Sequence, residues 1–215
     1  MQRIVIAIDG PAGAGKSTIA KLISKDLGLI YIDTGAMYRA VTLMALENKI
    51  KENNIESLLK LIENTTISFK EDKLYLNDIC KEEEIRTNEV SSNVSKYAAI
   101  KEVRKILVEK QRNMSKEYSV IMDGRDIATH VLVDANYKFY LTASPQVRGE
   151  RRYKELINKG EKVLLENIVE DVKKRDFDDM NREVSPLVKA EDAILIDTDN
   201  MSISEVVKKI IGYIK

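Results

Sequence analysis

Ile4-Val5-Ile6-Ala7-Ile8 runs through Asp9 into Gly10-Pro11-Ala12-Gly13-Ala14-Gly15-Lys16-Ser17 and on to Thr18. A short unbroken apolar run reads as a buried strand, and the segment after it has the spacing of a phosphate-binding loop, two glycines around four residues and then Lys-Ser. Glycines let the backbone curl until successive N–H groups point inward at phosphate oxygens, and the helix that follows adds the positive end of its dipole. Lys16 brings a compact positive charge and the Ser17 hydroxyl is a Mg²⁺ ligand. Gly10, Pro11, Ala12, Gly13, Ala14, Gly15, Lys16, Ser17 and Thr18 are therefore read as a nucleoside-triphosphate site. The loop does not say which molecule receives the phosphate.

Outward from this unit, helix and strand patterns alternate. Ile19, Leu22, Ile23 and Leu27 keep helical spacing, and Gly28 is a stop signal. Leu29-Ile30-Tyr31-Ile32 predicts a short buried strand ending at Asp33, and Ala36 to Leu46 a helix. From Leu58 to Val90 the character changes: Thr66-Ile67-Ser68-Phe69 and Lys73-Leu74-Tyr75-Leu76 predict short antiparallel strands around a Glu71-Asp72 turn, an inserted lobe with a small sheet. A long amphipathic helix over Glu102 to Ser115 leads back to three apolar strands, Ser119–Met122, Tyr137–Leu141 and Ala193–Ile196. Five such strands with intervening helices predict an α/β fold, a five-stranded parallel sheet with helices on both faces and ligands at the carboxyl ends of the strands. The expected organisation is one unit, with residues 1–34 and 117–215 as core and an inserted lobe over 35–116.

Composition narrows the class. A chain of 215 residues buries a substantial core in one domain with inserts. Its 35 basic and 35 acidic residues balance, which disfavours a broad polyanion-binding surface and hence a nucleic-acid partner. Cys80 is the only cysteine, so an internal disulfide and a cysteine-based metal site are excluded. The chain opens on a core strand instead of a signal peptide, and no apolar stretch approaches the roughly 18 residues of a membrane span. The expectation is a cytoplasmic protein, a monomer without membrane contact.

Applied strand by strand, the carboxyl-end rule gathers four polar clusters: the phosphate loop, Asp33-Thr34-Gly35, Asp123-Gly124-Arg125-Asp126, and Thr142-Ala143-Ser144. Asp123 ends an apolar strand, as does the carboxylate that helps hold Mg²⁺ in phosphate-loop enzymes; Asp33 also reads as a helix cap. Arginines crowd the same segments: Arg39, Arg125, the group Arg148, Arg151 and Arg152 on one short helix, and Arg175 and Arg182 flanking a later one. The guanidinium fork suits bidentate phosphate contacts. His130, the one histidine, and Cys80, a small core or lobe residue, have no task in phosphoryl transfer, and Tyr38 packs against either the acceptor or the lobe.

Asp33-Thr34-Gly35-Ala36-Met37-Tyr38-Arg39, Glu84-Ile85-Arg86-Thr87, Val103-Arg104, Asp123-Gly124-Arg125-Asp126 and the run Arg175-Asp176 through Asp179, Arg182 and Ser185-Pro186-Leu187 together resemble the bacterial cytidylate kinases, over nearly the whole chain. The resemblance implies transfer of the ATP γ-phosphoryl group to CMP or dCMP with Mg²⁺, held by Ser17 and Asp123. It places Asp126, Arg104 and Ser95 at the cytosine base, Thr34, Arg39, Arg125 and Arg182 at the acceptor phosphate, and Arg175 and Asp179 around the sugar. By the same resemblance Lys16, Arg125, Arg151, Arg152 and Arg182 become the catalytic set of one kinase unit, with residues of about 147–162 as a short lid over the phosphates. Thr34 stands where many relatives carry Ser, keeping a hydroxyl, and Ala128 stands where Gly is common, which bears on the local turn. Two other readings share the loop. A switch-type GTPase lacks its Asn-Lys-x-Asp guanine motif here, and a kinase for another small acceptor requires Arg104 and Asp126 to be surface residues.

Overall fold

The structure is a computed structural model and describes residues 3–158 and 160–214. In chain order its elements are β1 (Val5–Asp9), α1 (Lys16–Leu27), β2 (Ile30–Asp33), α2 (Thr34–Glu47), α3 (Ile55–Glu63), β3 (Ile67–Lys70), β4 (Lys73–Leu76), β5 (Ile79–Cys80), α4 (Asn88–Ala98) and α5 (Lys101–Glu117). They continue as β6 (Val120–Gly124), a single wide turn of helix over Ile127–Val131, β7 (Tyr137–Thr142), α6 (Pro145–Asn158), α7 (Leu165–Asn181), β8 (Ile194–Asp197) and α8 (Ile203–Ile211).

Five strands form the predicted parallel sheet, in the order β2-β6-β1-β7-β8. The apolar run that opened the reading is β1, buried at every position because β6 and β7 flank it in parallel register, with Asp9 opposite Gly124 on one side and Tyr140 on the other. A central strand covered on both faces has no polar side, hence its unbroken hydrophobicity. A second sheet, β3-β4-β5, is antiparallel. Its two hairpins turn at Glu71-Asp72 and Asn77-Asp78, all four residues at positive φ between 46° and 64°. Two successive left-handed residues are the turn that matches the twist of paired strands.

Contacts divide the chain into two compact units, one of residues up to Leu29 together with Ser119 onward, the other Ile30–Tyr118. The inserted range 35–116 lies inside the second; Met1, Lys159 and Lys215, which fall in the predicted core and lid ranges, lie outside the described residues, as does Gln2.

Three features depart from the reading of the sequence. The helix at Asp33 starts two residues early, at Thr34, because the Asp33 side chain accepts from the Ala36 amide and caps the first turn. The segment from Leu58 does not belong to the small sheet: Leu58 and Ile62, one helical turn apart, are buried by α3, and the sheet starts only at Ile67. Cys80 is exposed on β5 and is not a core residue, since a two-residue edge strand covers neither of its faces.

Candidate active site

The phosphate loop is shaped by what cannot fit into it. Gly10 has φ 144°, and a Cβ there would collide with the carbonyl oxygen of Leu141 in the neighbouring strand. Only glycine meets both demands. Lys16, the first residue of α1, is buried and donates to the Pro11 carbonyl at 2.8 Å. Burial, and after it the charge of Arg125, lowers its pKa to about 7. Ser17 and Thr18 lie exposed on the first turn, and the Ser17 hydroxyl donates to Asp123 Oδ2 at 2.9 Å. Two hard oxygens meeting beside the loop suit Mg²⁺, which takes one or two protein ligands and completes its shell with water and phosphate. Among the described residues no three His, Cys, Asp or Glu gather as a metal cage.

The end of β6 and the residues after it reach three ways. Asp123 meets Ser17 on α1, Arg125 donates from Nε to Asp179 Oδ2 at 2.7 Å, and Asp126 lies 3.3 Å from the Arg182 guanidinium. Asp179 is disfavoured as an anion by burial, yet the charge and hydrogen bond of Arg125, with Arg175 and Arg182, hold its carboxyl below the ordinary carboxylate range. α7 presents Arg175, Asp176 and Asp179 along one stripe at helical spacing. Arg175 lies within this helix instead of flanking it, while Arg182 is its C-terminal cap residue and donates to the Ser185 carbonyl. Ala128 does not need the freedom of glycine: it is absent from the positive-φ positions, so the turn carries a side chain without strain.

The arginines of α6 separate into three kinds. Arg148 is 3% exposed and heavily bonded: it takes both Asp176 oxygens and also donates to the Ala143 carbonyl at 2.7 Å and the Ala12 carbonyl at 3.1 Å. Arg151 is half-buried and donates to the Thr198 hydroxyl and carbonyl past the end of β8. Arg152 forms a surface pair with Glu155.

Within the Ile30–Tyr118 unit, Thr34 is buried at the start of α2 and Arg39, one turn on, donates to the Ser91 hydroxyl at 3.3 Å. Arg104 is buried in α5; it donates to the Ala98 carbonyl, and its guanidinium stands 5.1 Å from the ring of Tyr38. Ser95 is exposed on α4. His130 is exposed within the wide turn.

The family model described as cytidylate kinase matches residues 6–215. The chain belongs to the cytidylate kinase family. Curated cytidylate kinases of Clostridium botulinum (strain Langeland) and Clostridioides difficile (strain 630) are 55% and 54% identical to it, each alignment covering 100% of this chain and 99% of the relative. Two crystal structures share the fold at low identity. An uncharacterized protein from Eubacterium ventriosum aligns with TM-score 0.54 at 14% identity, over 99% of this chain and 98% of that one. A shikimate kinase from Bacteroides thetaiotaomicron aligns with TM-score 0.51 at 11% identity, with the same coverage of 99% and 98%.

This family member also holds functional-region residues that motif reading passed over. Arg86, in a quoted motif without an assigned role, ties Asp33 to Glu82 and so braces the capping carboxylate of α2. Ser91, one turn before Ser95, is the hydroxyl that meets Arg39. Asp9 is 1% exposed, with its pKa raised to about 6 by burial against two backbone hydrogen bonds from Ile127 and Ala128. Its only sequence signal was a carboxylate ending a strand whose other residues are all apolar.

Proposed function

We propose that this cytidylate kinase family member transfers the γ-phosphoryl group of ATP to CMP or dCMP, giving ADP and CDP or dCDP, with the phosphate loop holding the donor and the residues after β6 reading the acceptor. The observation that carries this reading is the reach of one segment, Asp123 to Ser17 of the loop, Arg125 to Asp179, Asp126 to Arg182.

A phosphate oxygen of the acceptor attacks the γ-phosphorus as the bond to the β-phosphate oxygen breaks. The acceptor's second pKa is about 6, so the nucleophile is already ionised at neutral pH and no side chain has to remove a proton. What remains for the protein is alignment and charge neutralisation. Lys16 serves the donor phosphates, and Arg125, Arg182, Arg39 and Thr34 serve the acceptor phosphate, with Arg175 and Asp179 at the sugar. Ser17 and Asp123 would hold Mg²⁺, which would supply positive charge against the phosphates. Arg151 and Arg152 neutralise the transferring group when the lid engages; both must exchange present partners, Thr198 and Glu155, to do so. Asp126 accepts from the cytosine amino group, supported by Arg104 and Ser95. Uracil would set a carbonyl against the carboxylate, and an unmatched buried polar group costs about 1–3 kcal/mol or more.

ADP release with CMP, dCMP, UMP and AMP offered separately, repeated with Asp126→Ala, tests the reading. CMP and dCMP should dominate and the substitution should erode rejection of UMP; no stimulation by any of the four removes the acceptor assignment. Compartment and assembly follow as a monomer in the cytoplasm, and sedimentation at working concentration checks the monomer; among the described residues no helix is long and apolar enough to cross a membrane.

A further inference from the structure

The wide turn Ile127–Val131 begins at Asp126, a residue type that ordinarily caps its own helix, yet the Asp126 side chain makes no cap bond there. The cap comes from elsewhere. Asp9, 118 residues earlier, accepts the Ile127 amide on Oδ1 at 2.8 Å and the Ala128 amide on Oδ2 at 2.7 Å. Both oxygens of one buried carboxylate are thus spent on the first two of the amides that a helix start leaves unpaired. The turn itself is held by i to i+5 bonds, Val131 to Asp126 and Leu132 to Ile127. Asp126, relieved of capping, directs its carboxylate to Arg182 at 3.3 Å.

Asp9 is also the residue before Gly10. Its backbone is fixed in the sheet centre opposite Gly124 and Tyr140, and its side chain grips the start of the turn. One residue therefore anchors both the entry of the phosphate loop and the orientation of the Arg125-Asp126 pair.

We propose that Asp9 is a positioning residue for acceptor recognition: as a cap supplied from β1 it fixes the turn that aims Asp126, so that base discrimination depends on a side chain that touches neither substrate. The proposal rests on the reading of Asp126 as the base-reading carboxylate. Asp9→Asn keeps size and one acceptor but sets an amide donor against a backbone amide. The expected result is a CMP KM raised about tenfold or more and a CMP-over-UMP ratio of kcat/KM lowered to a similar degree, with the ATP KM within about twofold. A general structural role would instead lower kcat and disturb both KM values while leaving the ratio intact, and that outcome overturns the proposal. Asp126→Ala run beside it separates the two claims. If that variant leaves the ratio unchanged, the base assignment falls by itself, and the CMP KM against the ATP KM of Asp9→Asn still decides the role of Asp9. Amide exchange on the parent protein covers a variant that does not fold: protection of Ile127 and Ala128 by about a hundredfold or more supports the cap, and exchange at unstructured-peptide rates overturns it.

Discussion

Two neighbouring carboxylates of α7 treat arginine differently. Asp176 takes Arg148 through both oxygens, and Arg148 is also bound to the carbonyls of Ala12 and Ala143, with side-chain exposures of 3% and 11% across the pair. One turn later Asp179 holds Arg125 through a single nitrogen, in a pair exposed to 17% and 16%. The first arginine ties three segments together through four buried hydrogen bonds; the second keeps a guanidinium edge and a path to solvent. The same ion-pair chemistry thus makes a staple in one place and an exchangeable contact in the other, and what separates them is burial and the number of additional hydrogen bonds.

The largest test of that contrast is Arg148→Ala. Removing one partner of a buried, bonded pair leaves an uncompensated carboxylate and costs about 3–5 kcal/mol, read as a lower midpoint in urea. An unchanged midpoint would erase the distinction. Arg125→Ala should do the reverse, lowering kcat/KM for CMP by about a hundredfold, equivalent to about 2.7 kcal/mol, with an unfolding midpoint close to that of the parent. Loss of stability without loss of activity would make Arg125 a second staple.

Lys16 sharpens the comparison because burial brings its titration near neutrality. Its folded-state pKa of about 7 lies below the ordinary 10.5, so between those values the folded protein holds fewer protons and this group's contribution to stability rises with pH. Triphosphate binding favours the ammonium form and opposes that trend. At pH 8 calorimetry in buffers of different ionisation enthalpy should therefore register uptake of about one proton on ATP binding, and affinity should fall by up to about tenfold per pH unit above that. Buffer-independent heats would show that Lys16 is already charged in the unliganded protein.

The smallest expected effect is on the stability of Arg152→Ala. Its pair with Glu155 is exposed to 43% and 62%, and such pairs contribute about 0–1 kcal/mol. An unfolding midpoint near the parent's, joined to a reduced kcat, would assign Arg152 to the phosphates; an unchanged kcat would leave it a solvated side chain.

Much of this was legible along the chain because the signals are local. Gly28 ends α1 at φ 64°, and Glu71-Asp72 turn the first hairpin, each at the position the residue types indicated. α3 was open to the same reading, since Ile55, Leu58, Leu59 and Ile62 keep helical spacing, but its nine residues end within four positions of the alternation that follows and merge with it along the chain. Arg148 and Arg151 share one helix and one residue type; no spacing rule tells which will meet Asp176 and which Thr198. Asp33 illustrates both halves, since its cap to Ala36 is a local bond and its pairing with Arg86 spans 53 residues.

The sequence by itself determined the parallel sheet, the phosphate loop between β1 and α1, and the family, because a buried central strand must be apolar and a curled loop must be glycine, demands met within a few residues. The tertiary structure alone decided that Asp9 caps a turn 118 residues away and that Arg148 is scaffold while Arg125 is not. Those outcomes depend on which groups lose water together, and burial is a property of the assembled fold, not of the chain.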